Sequence, residues 1–385
     1  MDEADLRALV PRVLSVLVRR GADLATAEDA VQEALIRALS RWDTDPPHDP
    51  EGWLVTVAWR AFLDLARSES TRRDREVRIG GEPPTGSASG VDDTLHLYFL
   101  CAHPELSLSS AVALTLRAVG GLTTRQIAEA YLVPEATMAQ RISRAKRTVA
   151  RSGLDRPGDV QTVMRVLYLV FNEGYSGQVD LAAEAIRLTR QLAGFVDAPE
   201  VDGLLALMLL HHARRPSRTR PDGGIVPLAE QDRTRWETEL IAEGVAILQR
   251  ALVRDRLGEY QAQAAIAALH ADAPRFADTD WVQIVEWYDE LLGFADTAIT
   301  RLNRAVAVGH ADGGPAGLAA LAEVPEGTPR RTAVAAHLHE RCGDLELAAR
   351  LYAVAASEAT SLAERDHQTR QAARVNQMLA EIDPS

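Results

Sequence analysis

The sequence predicts an all-α protein, and three observations carry that expectation. Apolar residues recur at i, i+3, i+4 and i+7 through most of the chain. The strict alternation of a half-buried strand never persists. Gly, Pro and Ser clusters cut the helical pattern into blocks rather than into hairpin-sized pieces. At 385 residues the chain exceeds what one core of about 250 residues accommodates, so two or three domains are expected. The 46% apolar content excludes wholesale disorder. No run approaches the ~18 uncharged apolar residues of a membrane span, and residues 1–18 lack a signal-peptide pattern. Cys101 and Cys342 are isolated, without metal-ligand spacing. A cytoplasmic, reduced protein with no metal and no cofactor is expected, and no membrane partner.

Charge divides unevenly. Of the net −13, residues 1–156 contribute −2 and residues 157–385 contribute −11. Global acidity argues against nucleic acid, but the acid lies in the second part while the basic residues of the first part are clustered. Lys146 is the chain's only lysine.

The first block, 5–78, opens its second helix with TAEDAVQEALIRAL (26–39), Thr26 being the expected N-cap. Ala27, Ala30, Val31, Ala34, Leu35 and Ala38 form its buried stripe. Asp29, Gln32, Glu33 and Ile36 then share an outward face: either a solvated surface or, given an exposed Ile beside carboxylates, a protein contact. The prolines of DTDPPHDPEG (43–52) force a loop before the helix WLVTVAWRAFLDLAR (53–67). Leu54, Val57, Ala58, Ala61, Phe62 and Leu65 form its expected core stripe, with Thr56, Arg60, Asp64 and Arg67 opposite. Arg72, Arg73, Arg75 and Arg78 follow, and Trp53 and Trp59 accompany this basic run. Arginines beside aromatics suit single-stranded nucleic acid, where guanidinium meets phosphate and bases stack.

Residues 79–91 (IGGEPPTGSASGV) have a linker composition. In the second block, 92–152, LTTRQIAEAYLVPEATMAQRISRAKRTVARSG (122–153) predicts a helix-turn-helix. Leu122 and Ile127 anchor the first helix and Pro134 opens the second. Met138, Ile142, Ala145 and Val149 are buried, while Thr137, Gln140, Arg141, Arg144 and Arg147 face outward. Residues 134–151 carry a net +4, as major-groove docking requires. An ordinary helical hairpin is the competing reading. Leu132 occupies the turn position where Gly is common, a costly choice if φ is positive there.

The third block, 160–385, predicts helix pairs of roughly 12–15 residues per helix, as in helical repeats. Its clearest unit is Thr332–Ala356, with a turn at Gly343-Asp344 and packing positions at Ala348, Tyr352 and Ala355. It resembles a tetratricopeptide (TPR) unit, and residues 255–271 are a weaker echo; a generic alanine-rich bundle is the alternative. GYSG (174–177) departs from the GxSxG elbow by one residue and no strand precedes it. His211 and His212 point about 100° apart on a helix, which favours a structural or surface role. Asn172, Glu173 and Tyr175 mark either a plain helix end or a hinge or ligand contact. No enzyme activity is expected.

These motifs, in this order, resemble the extracytoplasmic-function (ECF) sigma factors of the sigma-70 family. AEDAVQEALIRAL resembles region 2.2, GWLVTVAWRAFLDLARSESTRR regions 2.3–2.4, and LYFLCAHPELSLSSAVALTLRAVGGL (97–122) with LTTRQIAEAYLVPEATMAQRISRAKR regions 4.1 and 4.2. The remainder is similar to the extension of a subgroup with a TPR-like C-terminal domain. The resemblance implies that Asp29, Gln32, Glu33 and Ile36 bind core RNA polymerase at the β′ clamp helices, with β as a further partner subunit. It implies that Trp53, Arg60, Arg67, Arg72 and Arg73 face the melted −10 element, and that loop 43–52 helps hold an extruded base. Thr137, Gln140, Arg141, Arg144 and Arg147 would read the −35 duplex, and linker 79–91 would thread toward the RNA exit path. Relatives often carry Arg-Asn where this chain has Trp59-Arg60, so −10 specificity does not transfer. The rivals are a non-sigma helix-turn-helix regulator with a ligand- or peptide-sensing C-terminal domain, and an interaction scaffold. The acidic third block, repelled by phosphate, would either cover the basic faces or meet a basic polymerase surface; the second is the expectation, with a protein partner for that domain.

Overall fold

Several helices begin where a side chain takes up orphaned amides. In the computed structural model, which describes residues 3–42, 46–70, 91–152, 158–176, 179–220, 224 and 226–382, Asp23 accepts from the amides of Ala25 and Thr26 and opens the second helix. Thr26, the N-cap expected from sequence, therefore lies inside that helix as a recipient of the cap. Asp159, Asp180 and Asp280 act in the same way at later helices.

The chain packs as two units, Met1–Asp197 and Ala198–Ser385. In the first, α1 (Glu3–Arg19), α2 (Leu24–Arg41) and α3 (Pro50–Ser70) pack pairwise. Val13, Leu17, Ala27, Ala30, Val31, Leu54, Ala58 and Phe62 fill the space between them. Four positions depart from the expected stripe of α3, two of them being Val57, half-buried, and Val55, buried in the core instead. Leu65 is 39% exposed, because the last turns of α3, with Asp64 and Arg67, emerge from the core. Trp59 is 2% exposed, packed against Phe62 with the Arg20 guanidinium over its ring. It is a core residue, closed to base stacking. Arg72, Arg73, Arg75, Arg78 and linker residues 79–90 lie outside the described residues.

Next come α4 (Val91–Cys101), α5 (Leu108–Ala118), α6 (Thr124–Ala130) and α7 (Glu135–Ser152). Two helices of the third sequence block, α8 (Val160–Glu173) and α9 (Leu181–Phe195), belong to this same unit and pack on α4 and α5. The buried Tyr98 hydroxyl donates to the Leu188 carbonyl at 2.9 Å, and the Gly158 amide to the Phe99 carbonyl at 2.9 Å. Between α8 and α9, β1 (Tyr175–Ser176) pairs antiparallel with β2 (Val179–Asp180). Strands of two residues are too short to leave a periodic trace in sequence.

The second unit opens with α10 (Pro199–Ala213), buried on nearly every side and packed against α11 (Thr238–Leu252) and α12 (Glu259–Asp272). Gly258 precedes α12 without a side chain to cap it. The Glu200 carboxylate does so from α10, accepting the Tyr260 amide at 2.6 Å and the Gln261 amide at 3.3 Å. A Cβ at Gly258 would collide with that carboxylate. Then follow α13 (Trp281–Phe294), α14 (Ala298–Ala311), α15 (Gly314–Leu321), α16 (Arg331–Arg341), α17 (Leu345–Glu358) and α18 (Leu362–Ile382). α12 packs mostly on α10, and from α13 onward each helix packs chiefly on its sequence neighbours. In the α16–α17 hairpin, Gly343 takes φ +82° at the turn, and Ala348, Tyr352 and Ala355 are buried as their spacing requires. The Tyr352 hydroxyl donates to Glu340 at 2.9 Å, and Arg374 of α18 reaches the same carboxylate twice at 2.8 Å. No helix of the described residues is long and apolar enough to cross a membrane.

Candidate nucleic-acid and polymerase interface

Helices α6 and α7 build the helix-turn-helix from local rules. Thr123 and Gln126 form a reciprocal capping box at the start of α6. At its end the Val133 amide bonds the Ala128 carbonyl at 3.0 Å and the Leu132 amide bonds the Glu129 carbonyl at 3.2 Å. That pair of bonds is a Schellman turn, and it places Leu132 at φ +50°. The turn thus keeps the left-handed form usual for Gly, with a leucine bearing its cost. Leu132 is 86% exposed, so its side chain gives little in return. A left-handed Cβ costs about 1–2 kcal/mol, and the greater unfolded freedom of Gly takes back about 0.5–1 kcal/mol. Leu132→Gly is therefore expected to raise stability by about 0.5–1 kcal/mol in urea denaturation. An unchanged or lower midpoint would contradict this account of the turn.

Pro134 precedes α7, whose Met138, Ile142, Ala145 and Val149 are all buried. Thr137, Gln140, Arg144 and Arg147 are exposed on the other side, and Arg141 is half-buried at its margin. Lys146, counted in sequence with the basic charge of this helix, turns the other way into an ion pair with Glu28.

On α2, Asp29, Gln32, Glu33 and Ile36 are exposed, Ile36 by 62%. Leu39, one turn on, is 59% exposed and extends the apolar part of this face. Glu33 is paired with Arg37 at 3.0 Å. Partial burial raises the Asp29 carboxyl above its ordinary value, and the nearby Lys146 ammonium opposes that rise. On α3, Trp53 is half-buried and meets Trp42 edge to face at 5.3 Å. Arg60 and Arg67 are exposed, Arg67 lying 3.6 Å from Asp64. Arg72 and Arg73 lie outside the described residues.

Sequence reasoning missed a buried ion triad. Glu28 of α2 meets Arg117 of α5 at 2.5 Å through Oε1 and Lys146 of α7 at 2.5 Å through Oε2. Their side chains are only 8%, 12% and 14% exposed. Arg117 also donates to the Leu122 carbonyl at 2.9 Å. The available signal was an arginine in the mostly apolar AVALTLRAV, together with a lone lysine.

In the second unit, burial keeps His211 neutral down to about pH 3 and lowers His270 and His310 to about 4. His310 stacks on Trp281 at 4.1 Å and approaches His337 at 3.3 Å, Nε2 to Nε2. Among the described residues no group of three or more His, Cys, Asp or Glu side chains could hold a metal ion.

Comparison with known proteins decides the family. Sigma-70 region 2 matches residues 6–72 and sigma-70 region 4 matches residues 96–149. The ECF RNA polymerase sigma factor SigL of Mycobacterium tuberculosis is 30% identical over 38% of this chain and 88% of its own length. The chain belongs to the ECF sigma factors. This ECF sigma factor also matches, over residues 159–252, a family of unknown function, DUF6596. An uncharacterized protein of Rhizobium meliloti is 41% identical over 82% of this chain and 81% of its own length, so the similarity extends into the C-terminal helices. A probable ECF sigma factor of Mycobacterium tuberculosis, SigI, is 31% identical over 48% of this chain and 66% of its own length. No solved structure matches this ECF sigma factor.

Proposed function

We propose that this sigma factor directs core RNA polymerase to −35/−10 promoters through the surfaces described above, acting in the cytoplasm by binding rather than by catalysis. The observation that carries this reading is the two-sided α7: Met138, Ile142, Ala145 and Val149 hold it down, leaving Thr137, Gln140, Arg144 and Arg147 free to enter a major groove with Arg141 at the margin. In this reading Asp29, Gln32, Glu33 and Ile36 dock on the β′ clamp helices. Trp53, Arg60 and Arg67, together with Arg72 and Arg73, meet the single-stranded −10 element, and linker 79–91 passes along the polymerase toward the RNA exit path and the β subunit. The acidic C-terminal helices serve as a protein-contact surface, of the kind TPR-like stacks provide, and meet a basic surface of the polymerase.

Run-off transcription with purified core polymerase on the protein's own upstream region tests the whole. Promoter-specific transcript is expected only when the protein is present, and its absence would favour a non-sigma regulator. Within that assay Arg144→Ala is expected to cost about 1–3 kcal/mol at particular −35 positions if the arginine pairs a guanine edge. Equal loss on scrambled −35 sequences would reduce Arg144 to a phosphate anchor.

A further inference from the structure

We infer that the second unit holds a binding site for a compact dianion of the phosphate class, gripped by Arg214 and Arg233 beside Trp236. The site goes beyond the sigma reading and stands without it.

Two short helical turns, Arg215–Ser217 and Arg233–Arg235, pack on each other, the first of them at the end of α10. They bring the Arg214 and Arg233 guanidinium groups to 5.4 and 4.7 Å from the ring centroid of one tryptophan, Trp236. Trp236 is itself buried and fixed, its Nε1 donating to Ser217 Oγ at 2.7 Å. The ring therefore holds both cations in place before a ligand arrives, which lowers the ordering cost of binding.

Arginines in this half of the chain mostly have a carboxylate. Arg220, Arg275, Arg301, Arg304, Arg330 and Arg374 each lie 2.5–3.0 Å from an Asp or Glu oxygen. Arg214 and Arg233 have no such pair among the described residues, and their hydrogen bonds go to neutral groups. Arg214 Nε reaches Gln231 Oε1 at 3.4 Å. Arg233 Nη1 donates to the His270 carbonyl and, at 2.7 Å, to that of Ala273. That contact ties Arg233 to the end of α12 but leaves Nη2 idle: Arg233 Nη2 and His270 Nδ1 are buried with no hydrogen-bond partner among the described residues. Asp278 acts on Arg233 from a distance, yet its carboxylate is already held by Arg275 at 2.7 and 2.8 Å.

Electrostatics point the same way. Burial, with Arg218 and Arg233 nearby, lowers Arg214 to about 10; burial, with Arg214 and Arg233 nearby, lowers His270 to about 4. Among the described residues, every charge acting on Arg214, His211 and His270 is positive. Gathered within residues 157–385, whose net charge is −11, these cations are costly while unpaired and are relieved when an anion enters. Guanidinium groups match phosphate oxygens in bidentate pairs, and a dianion balances two arginines where a single carboxylate does not. Both arginines are half-buried, which suits a small ligand better than a peptide.

Isothermal titration calorimetry of the full chain at constant ionic strength tests the site, with inorganic phosphate, glycerol phosphate and succinate as probes. Saturable one-to-one binding of phosphate or glycerol phosphate is expected, at least ten-fold weaker in Arg214→Gln and within two-fold of wild type in Arg301→Gln, an arginine of α14 that has its own carboxylate. Tighter binding of glycerol phosphate would assign the site to an organic phosphate, and equal or tighter binding of the ion would assign it to inorganic phosphate. Absence of saturable binding by both, succinate binding as tightly as either, or undiminished binding by Arg214→Gln overturns the inference. Should Arg214→Gln melt early, Arg233→Lys decides, since it keeps the charge and the reach to the α12 carbonyls while losing Nη2. Several-fold weaker binding is expected from it, and unchanged binding overturns the site.

Discussion

A chain ending at Asp197 is expected to fold, whereas one ending at Gly158 is expected to lose region 4. The two helices after Gly158 close the core of that region. Val163, Met164, Val166, Leu167, Val170 and Phe171 of α8 are buried in the first unit, and the buried Tyr98 hydroxyl has its acceptor on α9. Each large apolar side chain uncovered costs about 1.5–3 kcal/mol, against a total domain stability of about 5–15 kcal/mol. Removal of α9 also leaves the Tyr98 hydroxyl without that acceptor, a further cost. Thermal melts of the two fragments, followed by circular dichroism, check this. A cooperative melt of 1–158 matching that of 1–197 would refute the integration of α8 and α9 into region 4. The longer fragment also separates the roles of the remaining helices: lower promoter output from folded 1–197 than from the full chain is expected if they clamp the polymerase. Higher output with tighter DNA binding would make them an inhibitor.

The double reversal Asp29→Lys/Glu33→Lys is expected to weaken core polymerase binding at least ten-fold with helicity unchanged. Both side chains are exposed on α2, so neither contributes much to packing. Glu33 gives up only its surface pair with Arg37, worth about 0–1 kcal/mol. Against a basic clamp surface the reversal replaces two attractions with two repulsions, which lowers the association rate as well as the affinity. Gel-shift of the holoenzyme measures the outcome. Wild-type binding by a variant with normal circular dichroism would remove the α2 face from the polymerase contact.

What the sequence made legible was periodic. The stripe Met138, Ile142, Ala145, Val149 is written at helical spacing, and so are Ala348, Tyr352 and Ala355; all seven are buried. The outward faces of α2 and α7 follow by elimination. What stayed hidden depends on partners far along the chain. Glu28 reads as a first-turn acid until Arg117 and Lys146 fold back upon it. Trp59 and Arg20, 39 positions apart, declare the tryptophan a core residue only when they meet. The N-cap of α2 is Asp23 and not Thr26 because two residues that can both cap compete locally, and periodicity does not rank them. The union of α8 and α9 with region 4 is equally silent, since Gly153–Gly158 punctuates like a boundary and the Tyr98–Leu188 bond is a single contact across 90 positions.

The neighbour-on-neighbour packing of α13 to α18 has a consequence for how this half of the molecule tolerates change. Where a single core is shared by every element, a lesion anywhere is felt everywhere. Here Glu340 ties α16 to α17 and α18, while the Glu200 cap of α12 stands in a separate neighbourhood. Damage at one hairpin is therefore confined to the hairpins beside it. The same locality lets helix pairs be gained or lost at the C-terminal end without rebuilding the rest.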